Sequence, residues 1–357
     1  MKICLVTGGT GGHIYPAIAL ADKFTHLLPN CEILFIGNDD RMEAKVIPAH
    51  GYRFQSLHTS GLVGNVFQKG RAVGQMFSAR KKAKKYLRDF QPDIVIGFGG
   101  YVSAPVMMAS TSLGIPTMIH EQNSIVGKSN QLVMHKVDAI VTCYEKCSEV
   151  FPKDKIHLLG NPRATIAKEA KLDEAYYASL QLDPNKKTIL IMMGSLGSSS
   201  VNELMKSALK DMDSSLQFLY VCGRNNASDL HMFDDKNDIH VVDYVDTLKI
   251  YPKVDGLICR AGATTIAELT ALGIPSILVP SPYVANNHQY YNAMQLVQKN
   301  AAHMIEEKDL NAENLQREIQ GLFLNDKEME EVSKQARLLG KPNAAYDMIS
   351  LCESIIK

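Results

Sequence analysis

Three glycine-rich turns carry the residue types best suited to meeting an anion. Each lies between an apolar strand-like run and a helical pattern. The first is Gly8-Gly9-Thr10-Gly11-Gly12-His13, the second Met193-Gly194-Ser195-Leu196-Gly197-Ser198, and the third Arg260-Ala261-Gly262-Ala263-Thr264-Thr265-Ile266-Ala267-Glu268. Glycine lets the backbone approach a ligand closely, and a helix start offers unpaired N–H groups at the positive end of its dipole. The first turn has neither the Gly-Lys-Ser/Thr of a nucleotide-binding loop nor a clean dinucleotide fingerprint. It therefore reads either as a tight turn or as an anion site. His13 adds an imidazole that could act as a base, although taken alone it reads first as a helix-capping residue. The second turn reads plainly as serines capping a helix. In the third, threonine hydroxyls and first-turn amides could hold a diphosphate, and Glu268, one turn in, could grip two ribose hydroxyls. The plain alternative for Glu268 is an acid favoured near a helix N-terminus.

Two polar clusters follow apolar strands, His120-Glu121-Gln122-Asn123 and Asn286-Asn287-His288-Gln289. Crowded amide and imidazole groups suit the hydroxyls of a sugar, and the same residue types also form ordinary turns. The sole Asp-x-Asp pair, Asp211-Met212-Asp213, falls in a helix-to-strand connector. It reads as a solvated turn, so neither a metal nor another cofactor is expected, and helix amides are left to neutralise a leaving diphosphate.

These residues need elements to hold them. Short apolar runs at residues 3–6, 32–36 and 94–96, separated by helical patterns, are the signature of a parallel sheet covered on both faces. The first helix is expected over about residues 16–28, with Pro16 in its opening turn. A second series of strands starts at residue 188 and continues at 217–221, 239–242 and 257–259. The halves resemble each other: Asp93-Ile94-Val95-Ile96 leads through Gly99-Gly100 to Gly114-Ile115-Pro116, and Asp255-Gly256-Leu257-Ile258 through Gly262 to Gly273-Ile274-Pro275. The expected architecture is α/β, with two Rossmann-like, doubly wound parallel-sheet domains and a ligand cleft between them. A polar connector opening at Asn161-Pro162 divides them, giving 1–162 and 163–339.

Among 357 residues, Lys+Arg and Asp+Glu are both 38, which argues against a general polyanion binder and so against nucleic acid. With 46% hydrophobic residues the chain is not disordered, collagenous or a disulfide scaffold. Charge is polarised, however. Residues 1–162 hold 18 Lys/Arg and 12 Asp/Glu, whereas 163–357 hold 20 and 26. Eight of the basic residues lie within 69–88, which contains no acid before Asp89. On a helical wheel Val73, Met76, Phe77, Ala83 and Leu87 are expected on one face, and Lys81, Lys82, Lys85 and Arg88 on another. Upstream, Leu62, Val63 and Phe67 sit in an apolar, glycine-flexed loop. A basic face beside a greasy loop reads as docking onto anionic lipid. Seven cysteines without framework spacing suggest reduced thiols and a cytoplasmic setting. No signal peptide is visible. The 26 uncharged residues 94–119 are long enough to span a bilayer, but their glycines and prolines fit strand, turn, helix and strand instead. The protein is expected to be soluble or to lie on a membrane.

Seven of these motifs, in order along nearly the whole chain, closely resemble the MurG family of bacterial N-acetylglucosaminyltransferases. They are residues 8–13, Gly99-Gly100-Tyr101-Val102-Ser103-Ala104-Pro105, His120-Glu121-Gln122-Asn123, Gly160-Asn161-Pro162, Gly194-Ser195-Leu196-Gly197, residues 260–268 and His288-Gln289-Tyr290-Tyr291-Asn292-Ala293. The resemblance implies the GT-B fold, with a last helix (about residues 344–356, within 340–357) returning to the N-terminal domain. It implies inverting transfer from UDP-N-acetylglucosamine to the C4 hydroxyl of the muramoyl sugar of lipid I, forming lipid II for peptidoglycan. The acceptor would bind the N-terminal domain and the donor mainly the C-terminal one. Thr10, Gly11, Gly12, Asn123, Ser195, Ala263, Thr264, Thr265, Ile266, Ala267, Glu268 and Gln289 would be donor contacts, Val245 the uracil-side backbone contact and His13 the base. Arg163 stands one place earlier than the family's arginine. Ala261 replaces a usual serine, and Asn286-Asn287 stand where an acid is frequent. The implied location is the cytoplasmic face of the cell membrane, beside other cell-wall synthesis proteins. The alternative enzyme is a related transferase using another lipid acceptor, such as diacylglycerol.

Overall fold

The computed structural model describes residues 1–356 except 62–64, 194–198, 211 and 225. The chain divides into two compact units, Met1–Thr165 with Asn343–Lys357, and Ile166–Pro342.

In the first unit the order is β1 (Lys2–Val6), α1 (Gly11–Leu27), β2 (Glu32–Asn38), α2 (Glu43–Ala49), β3 (Arg53–Leu57), α3 (Val66–Phe90), β4 (Ile94–Gly97), α4 (Ser103–Ser112), β5 (Thr117–Glu121), α5 (Lys128–Gln131), β6 (Ala139–Thr142) and β7 (Ile156–His157). The chain then runs through α6 (Pro162–Glu169) and α7 (Glu174–Ser179). The second unit continues with β8 (Lys187–Met192), α8 (Ser199–Ala208), β9 (Leu216–Val221), β10 (Ile239–Val242), α9 (Thr247–Ile250), β11 (Gly256–Cys259), α10 (Ala263–Leu272), β12 (Ser276–Leu278), α11 (His288–Val297), β13 (His303–Met304), α12 (Ala312–Phe323) and α13 (Asp326–Leu339). The last helix, α14 (Ala344–Ile356), belongs to the first unit, where Ala345, Met348, Ile349 and Cys352 join the core formed by β1 and α1.

Both sheets are wholly parallel. The first is ordered β3-β2-β1-β4-β5-β6-β7 and the second β10-β9-β8-β11-β12-β13. Strands covered on both faces must be apolar on both, which is why 3–6, 94–97 and 189–191 are continuous buried runs. In each sheet the strand order reverses once, between β1 and β4 and between β8 and β11. A parallel sheet binds its ligand outside the carboxyl ends at that reversal, so the turns after β1, β4, β8 and β11 are singled out by topology alone. Residues 94–119 form β4, α4 and the start of β5. Among the described residues no helix is long and apolar enough to cross a membrane.

Two sequence expectations are corrected. First, α1 begins at Gly11, and Pro16 lies inside it. A proline there cannot donate to the Gly12 carbonyl; burial of Ile14, Ala17, Ile18 and Leu20 in the core carries the helix through it. Second, the buried stripe of α3 is Ala72, Ala79, Ala83, Leu87 and Phe90, with Met76 half-buried. Val73 and Phe77 point outward instead, on the side of Lys81, Lys85 and Arg88 at steps of about four residues. Small alanines let α3 lie close to α4, its main packing partner. An asparagine capping box opens α3: Asn65 Oδ1 accepts from Gln68 N at 3.0 Å, and Gln68 Oε1 from Asn65 N at 2.9 Å.

Candidate active site

In the first unit the turns after β1 and β4 press together. Gly100 has φ +83, and a Cβ there would lie 2.3 Å from the Gly8 carbonyl oxygen. A Cβ on Gly99, at φ +102, would lie 3.0 Å from the His13 ring. Only glycine gives this backbone shape and this closeness. His13 Nδ1 lies 3.0 Å from the Gly8 carbonyl. A carbonyl only accepts, so Nδ1 carries the proton and Nε2 is the nitrogen able to take another. Thr10, the N-cap of α1, is extended and makes no side-chain cap bond; the first-turn amides of Gly11 and Gly12 are thus suited to an anion.

Sequence reasoning passed over the group that holds this turn. Glu43, fully buried in the first turn of α2, accepts from Gly9 N at 3.1 Å and from Asn38 N at 3.0 Å. Its partners lie far along the chain or on β2, so no local pattern marks it.

The cluster at the end of β5, residues 120–123, is mostly turned inward, against the expectation of a sugar-facing group. His120 is fully buried; its Nε2 donates to the Gly160 carbonyl at 2.9 Å, and its Nδ1 accepts from Gln122 Nε2 at 3.0 Å. Burial is the main reason that its pKa falls to about 4, with the nearby His13 lowering it further and the Gly160 bond opposing. Glu121 accepts from Asn123 N, Gly127 N and Asn130 Nδ2 at 3.1, 2.9 and 2.9 Å, which opposes the upward push of burial. Of the four residues, only Asn123 is partly exposed. Arg163 lies in the first turn of α6, its backbone N bonded to Asn161 Oδ1 at 3.0 Å.

In the second unit Ser195 lies outside the described residues. After β11, Arg260 is structural: its Nε donates to the Met193 carbonyl and its Nη1 to the Val279 carbonyl, both at 3.2 Å, and Nη1 also pairs with Glu307. It ties the ends of β8 and β12 to β11. Gly262 caps α10 in extended conformation without a side-chain cap bond. Ala263, Thr264 and Thr265 form the first turn, and among the described residues Thr264 Oγ1 is a buried hydroxyl without a partner. Ile266 packs inward, while Ala267 is half-exposed. Glu268 is 4% exposed and accepts from the Tyr251 hydroxyl at 2.7 Å. Val245 lies in the turn before α9. The turn before α11 holds Asn286 and Asn287 at φ 55 and 49. Gln289 Oε1 accepts from Ser281 N at 2.8 Å, so its amide nitrogen is the end suited to a ligand.

Residues 3–142 match the glycosyltransferase family 28 N-terminal domain and residues 188–349 the family's C-terminal domain. Two relatives, from Halalkalibacterium halodurans and Bacillus cytotoxicus, are 37% and 38% identical over the full length of both chains. Both are named UDP-N-acetylglucosamine–N-acetylmuramyl-(pentapeptide) pyrophosphoryl-undecaprenol N-acetylglucosamine transferase. The crystal structure of Acinetobacter baumannii MurG is similar with a TM-score of 0.81 at 27% identity, covering 99% of each chain.

The chain belongs to the MurG family of glycosyltransferases.

A UDP-GlcNAc 2-epimerase from Neisseria meningitidis, in a structure bound to UDP-GlcNAc, shares the fold with a TM-score of 0.66 at 14% identity, covering 99% of this chain and all of the other. Both units are Rossmann-like parallel sheets of the GT-B type, and the family places the chain among enzymes that move sugars.

Proposed function

We propose that this chain transfers N-acetylglucosamine from UDP-N-acetylglucosamine to the C4 hydroxyl of the muramoyl sugar of lipid I, with inversion at the anomeric carbon. The observation that carries this reading is full-length identity of 37–38% to relatives named for that transfer. His13 and residues 263–268 lie at the switch-point turns after β1 and β11, while Asn123, Val245 and Gln289 follow β5, β10 and β12. The second unit takes the donor: Val245 meets uracil through its backbone, Glu268 the ribose, and Ala263, Thr264 and Thr265 the diphosphate, with Gln289 at the sugar. The first unit takes the acceptor, and its Thr10, Gly11, Gly12 and Asn123 are assigned donor contacts by resemblance to the family. His13 Nε2 removes the acceptor hydroxyl proton as that oxygen attacks the anomeric carbon. The bond to the diphosphate oxygen breaks, UDP leaves with the electron pair, and first-turn amides and the Thr264 hydroxyl stabilise its charge.

Radiolabelled sugar transfer tests the acceptor. Label from UDP-N-acetylglucosamine should reach a short-chain lipid I analogue and not diacylglycerol; labelling of diacylglycerol alone would move the chain to the alternative reaction.

The outer side of α3 supports docking at the cytoplasmic face of the membrane. Phe67 is 89% and Phe77 62% exposed, with Val66 and Val73 beside them, and Lys81, Lys82, Lys85 and Arg88 follow on the exposed surface. Leu62 and Val63 lie outside the described residues. Each well-placed cation contributes about 1 kcal/mol near an anionic leaflet. Replacing Lys81, Lys82 and Lys85 by Glu should reduce sedimentation with anionic liposomes at least about tenfold. Binding indifferent both to salt and to these changes would remove the patch from the account.

A further inference from the structure

One buried phenol links two parts of the proposed donor site. Tyr251 follows α9, is 3% exposed, and donates its hydroxyl proton to Glu268 Oε2 at 2.7 Å. Thr247 lies four residues, one helical turn, before Tyr251. Thr247 opens α9 directly after Val245 and Asp246, and Asp246 N donates to the Tyr176 hydroxyl at 3.0 Å. The turn that would read the base and the carboxylate that would hold the ribose are therefore joined by the short helix α9 and the Tyr251–Glu268 bond at its end.

We propose that Tyr251 is a positioning residue for the donor nucleoside, fixing the rotation of the Glu268 carboxylate and tying it to the base-side turn before the nucleotide arrives. The proposal rests on the assignment of Glu268 to ribose made above. Packing alone does not ask for a tyrosine, since phenylalanine fills nearly the same volume; the hydroxyl matters because a buried carboxylate needs donors. Burial and the charge of Glu268 push the Tyr251 pKa well up, so the phenol stays a donor across the working pH range. A carboxylate held in one orientation loses less conformational freedom when it receives two ribose hydroxyls.

The test compares UDP with 2′,3′-dideoxy-UDP by titration calorimetry on the full chain, native and Tyr251→Phe, with Glu268→Ala as reference. Native protein should prefer UDP by about tenfold or more. In Tyr251→Phe the UDP affinity should fall about five- to tenfold while dideoxy-UDP binding stays within about twofold, and donor KM should rise with kcat nearly unchanged. A merely structural role would weaken both nucleotides alike. Should Tyr251→Phe fold poorly, Tyr251→Met, which fills the space with an adaptable apolar side chain, should show the same pattern. Native preference for UDP that survives intact in these variants overturns the tether alone. Equal binding of the two nucleotides by native protein overturns the ribose assignment beneath it.

Discussion

His13→Ala lowers kcat by about 10²–10⁴-fold at saturating acceptor, the span general-base catalysis supplies, and leaves donor KM within about threefold. The asymmetry follows from the geometry. The His13 side chain is held by its Nδ1 bond to the Gly8 carbonyl and by the space that Gly99 leaves beside its ring. In the proposed mechanism the ring would contribute Nε2 as the base when the acceptor oxygen forms its new bond, and would not hold UDP. Steady-state kinetics with both substrates varied separates the two effects. A wild-type kcat in the alanine variant would hand the proton to another group.

Acid should destabilise the first unit through His120. Its folded pKa of about 4 lies below the ordinary 6.5, mainly because burial penalises the charged ring. The unfolded chain therefore binds a proton that the folded chain refuses between these values, and stability rises with pH across that window. The contribution is fully present above about pH 6.5 and is lost as pH falls towards 4, a difference of roughly 3 kcal/mol. Urea unfolding followed through a probe in the first unit should show it, with His120→Gln as control. The native advantage over that variant should shrink by this amount between pH 7 and pH 4. Parallel curves for the two proteins would contradict the assignment.

The two parallel sheets and the turns at their reversals are legible in the sequence because they depend on local pattern. Runs such as Ile3-Cys4-Leu5-Val6 are apolar on both faces, and glycine marks the place where the chain must turn tightly. Pairings between distant residues are not legible. His120, Glu121 and Gln122 look like a sugar-binding cluster until Gly160, Gly127, Asn130 and Phe98 are seen to take their hydrogen bonds. Glu43 reaches Gly9 and Tyr251 reaches Glu268 through folding alone. The face of α3 departs from the sequence pattern for a different reason. Large apolar residues are expected to be buried, but α3 packs through alanines and leaves Val73 and Phe77 outside. The side chains left exposed are those a lipid surface would meet.

A nucleotide sugar should bind with its diphosphate at the start of α10. A crystal structure of the chain soaked with UDP-N-acetylglucosamine tests this most directly. It should show the diphosphate on the amides of Ala263, Thr264 and Thr265, the ribose hydroxyls on Glu268, uracil beside Val245 and the hexosamine at Gln289. Ordered nucleotide at any other place on the protein, with these residues bare, would contradict it.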